Sequence, residues 1–315
     1  MPVKLKRMVN RCTQEDKEKR YACIDDIKWE ESSSKPWWIA GAAAALLMAG
    51  MALLPQDKEP PLYDFEYGGI FYKVLSEDEG TCEVTRRDRN YQYTDNIWIP
   101  EEAEFQGRSY KVTVIADSAF YYSNLMPSVT IPNSVKEIGN YAFSYCEGLS
   151  TITLPESVEE VGEGAMDFCV MLNDVNILAK ISEVPNRMFS NCFNLVHLDL
   201  PEGVESLGID AFGNCINLLD IKLPASLKHI GRGAFWHCYR LPEITIPKQV
   251  NLIDDFAFRR CDSLSVVYNQ AEVPQRITKI FSDSLQTPLK VVVPRGSAAL
   301  YQQASHWEDL PIVEQ

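Results

Sequence analysis

A 23-residue period runs through most of this chain. Phenylalanine recurs on the period, methionine fills its one vacant node, and cysteine follows three residues after six of the nodes: Phe120, Phe143, Met166, Phe189, Phe212, Phe235, Phe258 and Phe281, with Cys146, Cys169, Cys192, Cys215, Cys238 and Cys261. Periods of about 20 to 50 residues are typical of chains that stack one structural unit per repeat. Because a single unit cannot enclose its own apolar residues, the period predicts a solenoid whose neighbouring coils bury one continuous core.

Each repeat contains one segment with the alternation of a half-buried strand. From Leu218 the unit reads LLDIKLPASLKHIGRGAFWHCYR, in which Ile221 and Leu223 alternate with polar residues. A proline closes this segment in most repeats, because it has no N–H to continue a ladder. The Ala-Phe-x-x-Cys run fits one side of a short helical turn. The prediction is an α/β repeat solenoid of about eight coils, with parallel β-strands joined by short helical turns.

The pattern LxxIxLPxxVxxIGxxAFxxC resembles the BspA-like leucine-rich repeats of bacterial surface proteins, over about residues 115–290. GGIFYKVL (68–75) and VVVPRGSAALYQQASHWEDLPIVE (291–314) are similar to the flanking segments of that family. The resemblance implies a non-enzymatic role in recognition, typically adhesion, through the solenoid surface to a protein or glycan ligand. The unit DVNILAKISEVP departs from the pattern, with Leu178 in the proline column and Pro185 in the glycine column, and predicts an irregular coil.

One long apolar run precedes the repeats. Residues 37–54 (WWIAGAAAALLMAGMALL) carry no charge and have the minimum length that spans a bilayer as a helix. Tryptophans and Lys35 stand at its start, and the basic excess lies on its N-terminal side. The sequence therefore predicts a single-pass membrane protein with a cytoplasmic N-terminus and its repeats in the periplasm or at the cell surface. A cleaved secretory signal is the alternative, although the leader is long and no A-x-A site closes the run.

These features divide the chain into five predicted parts. They are a cytoplasmic segment (1–35), a transmembrane helix (36–55), a linker with an N-terminal β cap (56–103), a leucine-rich-repeat solenoid (104–290) and a C-terminal cap (291–315) with a short helix from Ser297 to Ser305. Residues 1–35 are mixed in charge and compatible with a helix. The alternative function is therefore a single-span membrane sensor or signalling protein whose residues 1–35 contact a cytoplasmic partner.

Charge and motif content exclude several function classes. Residues 36–315 hold 21 basic and 37 acidic side chains, a balance that disfavours nucleic-acid binding. The sequence has no phosphate-binding glycine loop, nucleophile elbow or H-E-x-x-H motif, so we predict no enzyme, no cofactor and no small-molecule substrate. No C-x₂₋₄-C pair is present, and the repeat cysteines are expected to be buried thiols, with disulfides between coils as the alternative.

Two surfaces hold the candidate binding residues. A polar strip on the outward strand positions is a candidate site for a cationic or polar ligand, with a divalent ion or plain solvent as the alternatives: Asp174, Asn176, His197, Asp199, Asp220, Lys222 and Glu243. A set of rings on the turns suits a protein or sugar ligand, or packing between coils: Tyr122, Tyr145, Trp236, His237 and Tyr239. The adjacent His237 and Cys238 are not expected to act together, because neighbouring residues of a helical turn point apart.

Overall fold

The computed structural model describes residues 61–281 and 288–315. The predicted cytoplasmic segment (1–35) and the predicted transmembrane helix (36–55) lie outside these ranges. Among the described residues, no helix is long and apolar enough to cross a membrane. The strands and the helix found there are β1 Phe65–Tyr67, β2 Ile70–Ser76, β3 Thr81–Thr85, β4 Ile97–Trp98, β5 Glu102–Phe105, β6 Arg108–Ile115, β7 Val129–Thr130, β8 Glu137–Ile138, β9 Thr151–Leu154, β10 Glu160–Val161, β11 Asp174–Ile177, β12 Glu183–Val184, β13 His197–Asp199, β14 Ser206–Leu207, β15 Asp220–Lys222, β16 His229–Ile230, β17 Glu243–Ile246, β18 Leu252–Ile253, β19 Val266–Asn269, β20 Lys290–Val293, α1 Ala298–Gln303 and β21 Ile312–Glu314.

The strands of successive coils stack into two faces of the solenoid. The first face consists of β4, β7, β9, β11, β13, β15, β17, β19, β20 and β21, and the second face of β6, β8, β10, β12, β14, β16 and β18. Paired strands within the repeats run parallel, and each residue lies opposite the residue 23 positions later, as Ile152 lies opposite Val175 and Leu207 opposite Ile230. The predicted parallel solenoid is therefore confirmed. The second face was not predicted, because its strands within the repeats, β8 to β18, are only two residues long.

The turns differ from the predicted short helices. In seven successive coils, two residues four positions apart have left-handed backbone; Asp210 and Asn214, for example, have φ of 51° and 60°. A right-handed helix cannot contain such residues. Alternate N–H groups bond instead to the next coil, since Asp210 donates to the carbonyl of Arg232 and Asn214 to that of Trp236. We call this third side of the solenoid the turn edge. In the described part of the chain, α1 is the one α-helix.

Stacked side chains fill the interior. The rings of Phe189, Phe212, Phe235 and Phe258 are buried and stack with centroids 5.5 Å apart and interplanar angles of 3–8°. Met166 takes the vacant place in this column and is fully buried. Burial of each such side chain contributes about 1.5–3 kcal/mol. The apolar columns that the period predicts are thus the core.

The six repeat cysteines form a second buried column. All are free thiols, as predicted. Each donates an S–H hydrogen bond to the main-chain carbonyl of the phenylalanine or methionine node in the preceding coil, with Sγ–O distances of 3.1–3.3 Å. The thiol thus fills space and gives a second hydrogen bond to a buried carbonyl that also accepts the N–H of the residue three positions later in its own coil. The sequence pattern alone did not indicate this bond.

Both ends of the solenoid are covered. At the N-terminal end, β1, β2 and β3 form antiparallel pairs, and β6 continues this sheet into the second face by pairing with β8. At the C-terminal end, α1 lies within the segment predicted as helical. Tyr301 and Trp307 are fully buried there and donate hydrogen bonds to the carbonyls of Ala271 and Gln275, at 2.9 and 2.8 Å. These bonds attach the closing segment to the last coil.

Hydrogen bonding between strands stops at one coil boundary on both faces. Within the described ranges, β10 and β11 pair only with the coil before them, and β12 and β13 only with the coil after them. We call this boundary, between residues 160–177 and 183–200, the seam. It falls on the unit that the sequence predicts to be irregular.

Pro185 accounts for the seam on the second face. At the equivalent position, Gly162 and Gly208 donate their N–H groups to the preceding coil, and Asp254 does the same. Proline has no N–H to donate. Val161, whose counterparts Ile138 and Val184 are fully buried, is partly exposed here. On the first face, Val175 is also partly exposed, because no strand pairs with the edge of β11 that faces the seam.

The turn edge continues across the seam. Gly164, Met166 and Phe168 donate N–H hydrogen bonds to the next coil at 2.8–3.0 Å. The buried carboxylate of Asp167 also crosses the boundary, with Oδ2 2.9 Å from Nη2 of Arg187 and Oδ1 2.9 Å from Nδ2 of Asn191. Burial raises the pKa of Asp167 even though these donors stabilise its charged form. The turn edge therefore holds the two stacks of coils together.

Candidate binding surface

The seven residues of the predicted polar strip all lie on the first face and are exposed. The strands that carry them alternate exposed and buried residues, as in Glu243–Ile246, so the backbone pleat fixes these side chains outward. The outward placement that the sequence pattern predicts is confirmed. A role in binding stays a prediction.

The strip is not continuous. His197 lies opposite Asp220, and Asp199 opposite Lys222, because β13 and β15 are paired in register. Asp174 and Asn176 lie beyond the seam, on β11. Glu243 lies beyond a second interruption of the first face, between β15 and β17, where Pro242 replaces residues that elsewhere donate an N–H to the preceding coil, such as Leu219. The polar strip is therefore interrupted at two coil boundaries.

The centre of the strip is a cluster of three polar side chains, those of His197, Asp199 and Asp220. Nδ1 of His197 is 2.9 Å from Oδ2 of Asp220, and Nε2 of the same ring is 3.2 Å from Oδ1 of Asp199. All three side chains are more than half exposed. In the residues that the structure describes, no group of three or more His, Cys, Asp or Glu side chains is arranged to hold a metal ion. The cluster instead presents two carboxylates joined by one imidazole.

The aromatic residues of the turn edge form two separate groups. Tyr145 stacks on Phe168 at 4.5 Å and lies 5.7 Å from Tyr122, which is 45% exposed. The second group, formed by the half-buried Trp236, His237 and Tyr239, has ring centroids 4.0 and 5.1 Å apart. Between the two groups, Asn191 and Asn214 occupy the positions equivalent to Phe168 and His237. The rings of the predicted set therefore pack mainly on one another.

His237 and Cys238 are directed to different partners. Nδ1 of His237 is 3.0 Å from Oδ1 of Asn214, whereas Sγ of Cys238 donates to the carbonyl of Phe212. Burial and the charge of Arg260 lower the pKa of His237. Burial raises the pKa of the Cys238 thiol well above its ordinary value. A neutral imidazole and a buried thiol do not form a reactive pair, in agreement with the prediction.

Two features of the first face were not predicted. Trp98 is 70% exposed and lies opposite Thr130, at the N-terminal end of the face. The segment IWIP that holds it has the same form as the strand ends ITIP and ITLP of the repeats, and this signal identifies the position as outward. The other feature is a groove of about 440 Å³ at the seam, lined by residues 173–177 and 197–201.

Stacked parallel strands, fixed apolar columns and one polar face define a leucine-rich-repeat solenoid. The sequence matches the family described as BspA type leucine rich repeat region, in six copies, over residues 113–241 and 182–293. The chain belongs to this family of BspA-type leucine-rich-repeat proteins. No enzyme family is indicated by the similar proteins.

Solved structures of bacterial proteins have the same architecture. A leucine rich cell surface protein from Faecalibacterium prausnitzii A2-165 is 25% identical with a TM-score of 0.60, and the match covers 75% of this chain and 71% of that one. A leucine-rich repeat protein from Eubacterium ventriosum is 26% identical with a TM-score of 0.50, over 60% of this chain and 49% of that one. A comparison with curated protein sequences gives no match.

Proposed function

We propose that this chain is a non-enzymatic recognition protein. In this proposal, residues 37–54 anchor it in a membrane, the solenoid lies outside the cytoplasm, and the first face binds a protein or glycan ligand. The observation that carries the proposal is the exposed polar strip on parallel strands whose other sides are fixed in the core. The similar protein from F. prausnitzii is described as a cell surface protein, which supports the location.

The first face suits a ligand with cationic and hydrogen-bonding groups. The carboxylates of Asp199 and Asp220 share a single imidazole, so each has acceptor positions left for a ligand. Trp98 offers an exposed ring on the same face, next to Thr130. An exposed tryptophan beside hydroxyl groups favours stacking on a sugar ring or on a partner's side chain. Tyr122 and the other turn residues form a second, smaller candidate surface.

Binding is tested with the purified full-length chain against a glycan array and a panel of extracellular matrix proteins. We expect at least one ligand whose affinity falls about tenfold in the double variant Asp199→Lys and Asp220→Lys, since reversing two carboxylates that face a cationic partner costs on this order. The matched control, Glu137→Lys with Glu160→Lys, makes the same charge change on the second face and should leave the affinity unchanged. Equal loss in both variants, or no ligand at all, overturns the proposal.

The location is tested by treating intact cells with protease. We expect loss of the repeat region and survival of a small N-terminal fragment. Protection of the repeats in intact cells but not after opening of the outer envelope places them in the periplasm and overturns adhesion to other cells. Protection in both conditions overturns the proposed orientation.

A further inference from the structure

We propose that the seam on the first face is a strand-addition site. The occupant is an extended peptide of alternating basic and apolar residues, which lies between β11 and β13 and bonds to both through its backbone. This inference rests on the proposed function and specifies one partner chemistry for the same face.

The edges of β11 and β13 that face each other have unpaired backbone groups. Asp174 and Leu178 donate N–H bonds to the preceding coil, and alternate residues of a strand direct their backbone groups to opposite sides. Val175 and Ile177 therefore direct theirs into the seam. On β13, Leu200 donates to Lys222, which assigns the intervening groups of His197 and Asp199 to the seam side. Within the described residues, no hydrogen bond joins these two edges.

The two strands at the seam lie farther apart than paired strands do. Most Cα–Cα distances between β11 and β13 exceed 8 Å, whereas most of those between the paired strands β13 and β15 are shorter. Adjacent strands in a sheet lie about 4.8 Å apart, so a strand inserted between two others needs about 9.6 Å. The groove of about 440 Å³ occupies this place.

The side chains at the seam select the sequence of the peptide. Val175, partly exposed, forms the inner side of the groove, and Asp174 and Asp199 stand at its outer rim. Successive side chains of an extended peptide point to opposite sides. Apolar residues of the peptide would thus contact Val175, and lysine or arginine residues between them would meet the two carboxylates. Asn176 adds a neutral hydrogen-bonding group to the rim.

The turn edge joins the two stacks of coils at the seam. Its three N–H bonds and the contacts of Asp167 with Arg187 and Asn191 cross the boundary on the opposite side from the groove's open edge. The two edges are therefore held in fixed positions before a peptide arrives. Such preorganisation lowers the entropy lost on binding.

The probe is a fluorescein-labelled peptide of four lysine-valine repeats, titrated into the purified full-length chain and followed by fluorescence anisotropy. We expect saturable binding. The same peptide with N-methyl groups on alternate backbone nitrogens keeps every side chain but loses those donors, and should bind about tenfold or more weakly. Equal binding of the two peptides means attraction by charge alone and overturns strand addition.

Variants locate the site. The double variant Asp174→Lys and Asp199→Lys should abolish binding of the lysine-valine peptide, and a glutamate-valine peptide should then bind to it. Glu137→Lys with Glu160→Lys, the control on the second face, should bind the original peptide as the parent does. Binding that survives the first pair of changes places the peptide elsewhere and overturns the assignment.

The two proposals fail in different ways. If Asp199→Lys with Asp220→Lys weakens an array or matrix ligand while the parent chain shows no preference for the unmethylated peptide, recognition by the first face stands and strand addition falls. If neither the peptide nor any ligand on the panels binds, both fall.

Discussion

Sγ of Cys238 lies 3.3 Å from the main-chain oxygen of Phe212, one coil earlier, and donates a hydrogen bond to it. The same bond recurs at each of the six repeat cysteines. The column thus joins neighbouring coils by side chain to main chain, in a part of the interior that strand pairing does not reach. Cysteine suits the position because its side chain is small, apolar and still a weak donor.

Cys238→Ala should lower the free energy of unfolding by about 1–2 kcal/mol, because the change leaves a cavity and removes one of the two hydrogen bonds that the Phe212 carbonyl accepts. Cys238→Ser keeps a donor and should lose less than the alanine variant. Urea unfolding followed by circular dichroism measures the difference. An alanine variant as stable as the parent would show that the thiol bond contributes nothing.

The cysteine column should also make the fold sensitive to alkali. Burial raises the pKa of Cys215 from its ordinary value of 9.0 to about 12. Between these values the unfolded chain has lost a proton that the folded chain keeps, so stability falls as pH rises. We expect the urea midpoint to decline from pH 9 to pH 12, and less steeply in Cys215→Ala. Parallel declines in the two proteins would contradict this origin.

The glycine column beside the second face sets how closely coils approach. A Cβ at Gly231 would lie 2.5 Å from the carbonyl oxygen of Leu207. Gly231→Ala should therefore cost about 1–3 kcal/mol, as overpacking does. Gly213→Ala is the control, since its Cβ would meet only the side chain and backbone of Asp210, at 3.2 Å or more. Thermal unfolding of both variants checks the difference, and equal midpoints would argue against the contact.

Like charges are stacked on the second face. Glu137 lies directly opposite Glu160 on paired strands, and both are exposed. Glu160→Gln should stabilise the protein by about 0.2–1 kcal/mol, by removing this repulsion. The gain should shrink as salt is added, because exposed charges are screened. Ser206→Gln, in the same column and opposite Glu183, removes no charge and should show no such salt dependence.

The sequence period predicts the coil length, the buried columns and the outward strip, because each depends on residue types that recur. The turn conformation could not be read in this way. Its left-handed positions hold Tyr141, Arg187, Asp210 and Phe256 as well as glycine, and hydrogen bonds between coils rather than residue type fix the backbone there. Glycine, the residue that would mark a left-handed position in the sequence, is therefore present at only some of these turns, as Gly164 and Gly233.

The candidate site was predicted residue by residue but not as an arrangement. Register placed His197 beside Asp220, and this follows from the period alone. The separation of Asp174 from His197 does not follow from the period, because it depends on the absence of pairing between β11 and β13. In the sequence, Pro185 departs from the glycine column, but the consequence, a missing N–H bond to the preceding coil, follows only from the position of the neighbouring coil.

The turn edge also has a mechanical consequence. At the seam, the turn edge and the adjacent bond from the Asn194 N–H to the Val170 carbonyl supply the main-chain hydrogen bonds seen between the described residues of the two stacks, whereas most other coil boundaries are bonded on both faces as well. A force that pulls the ends of the solenoid apart would therefore break the molecule at this boundary first, by bending it about the turn edge. Rupture under tension would then begin at one defined place, between Val175 and Leu198, with the coils on either side still folded.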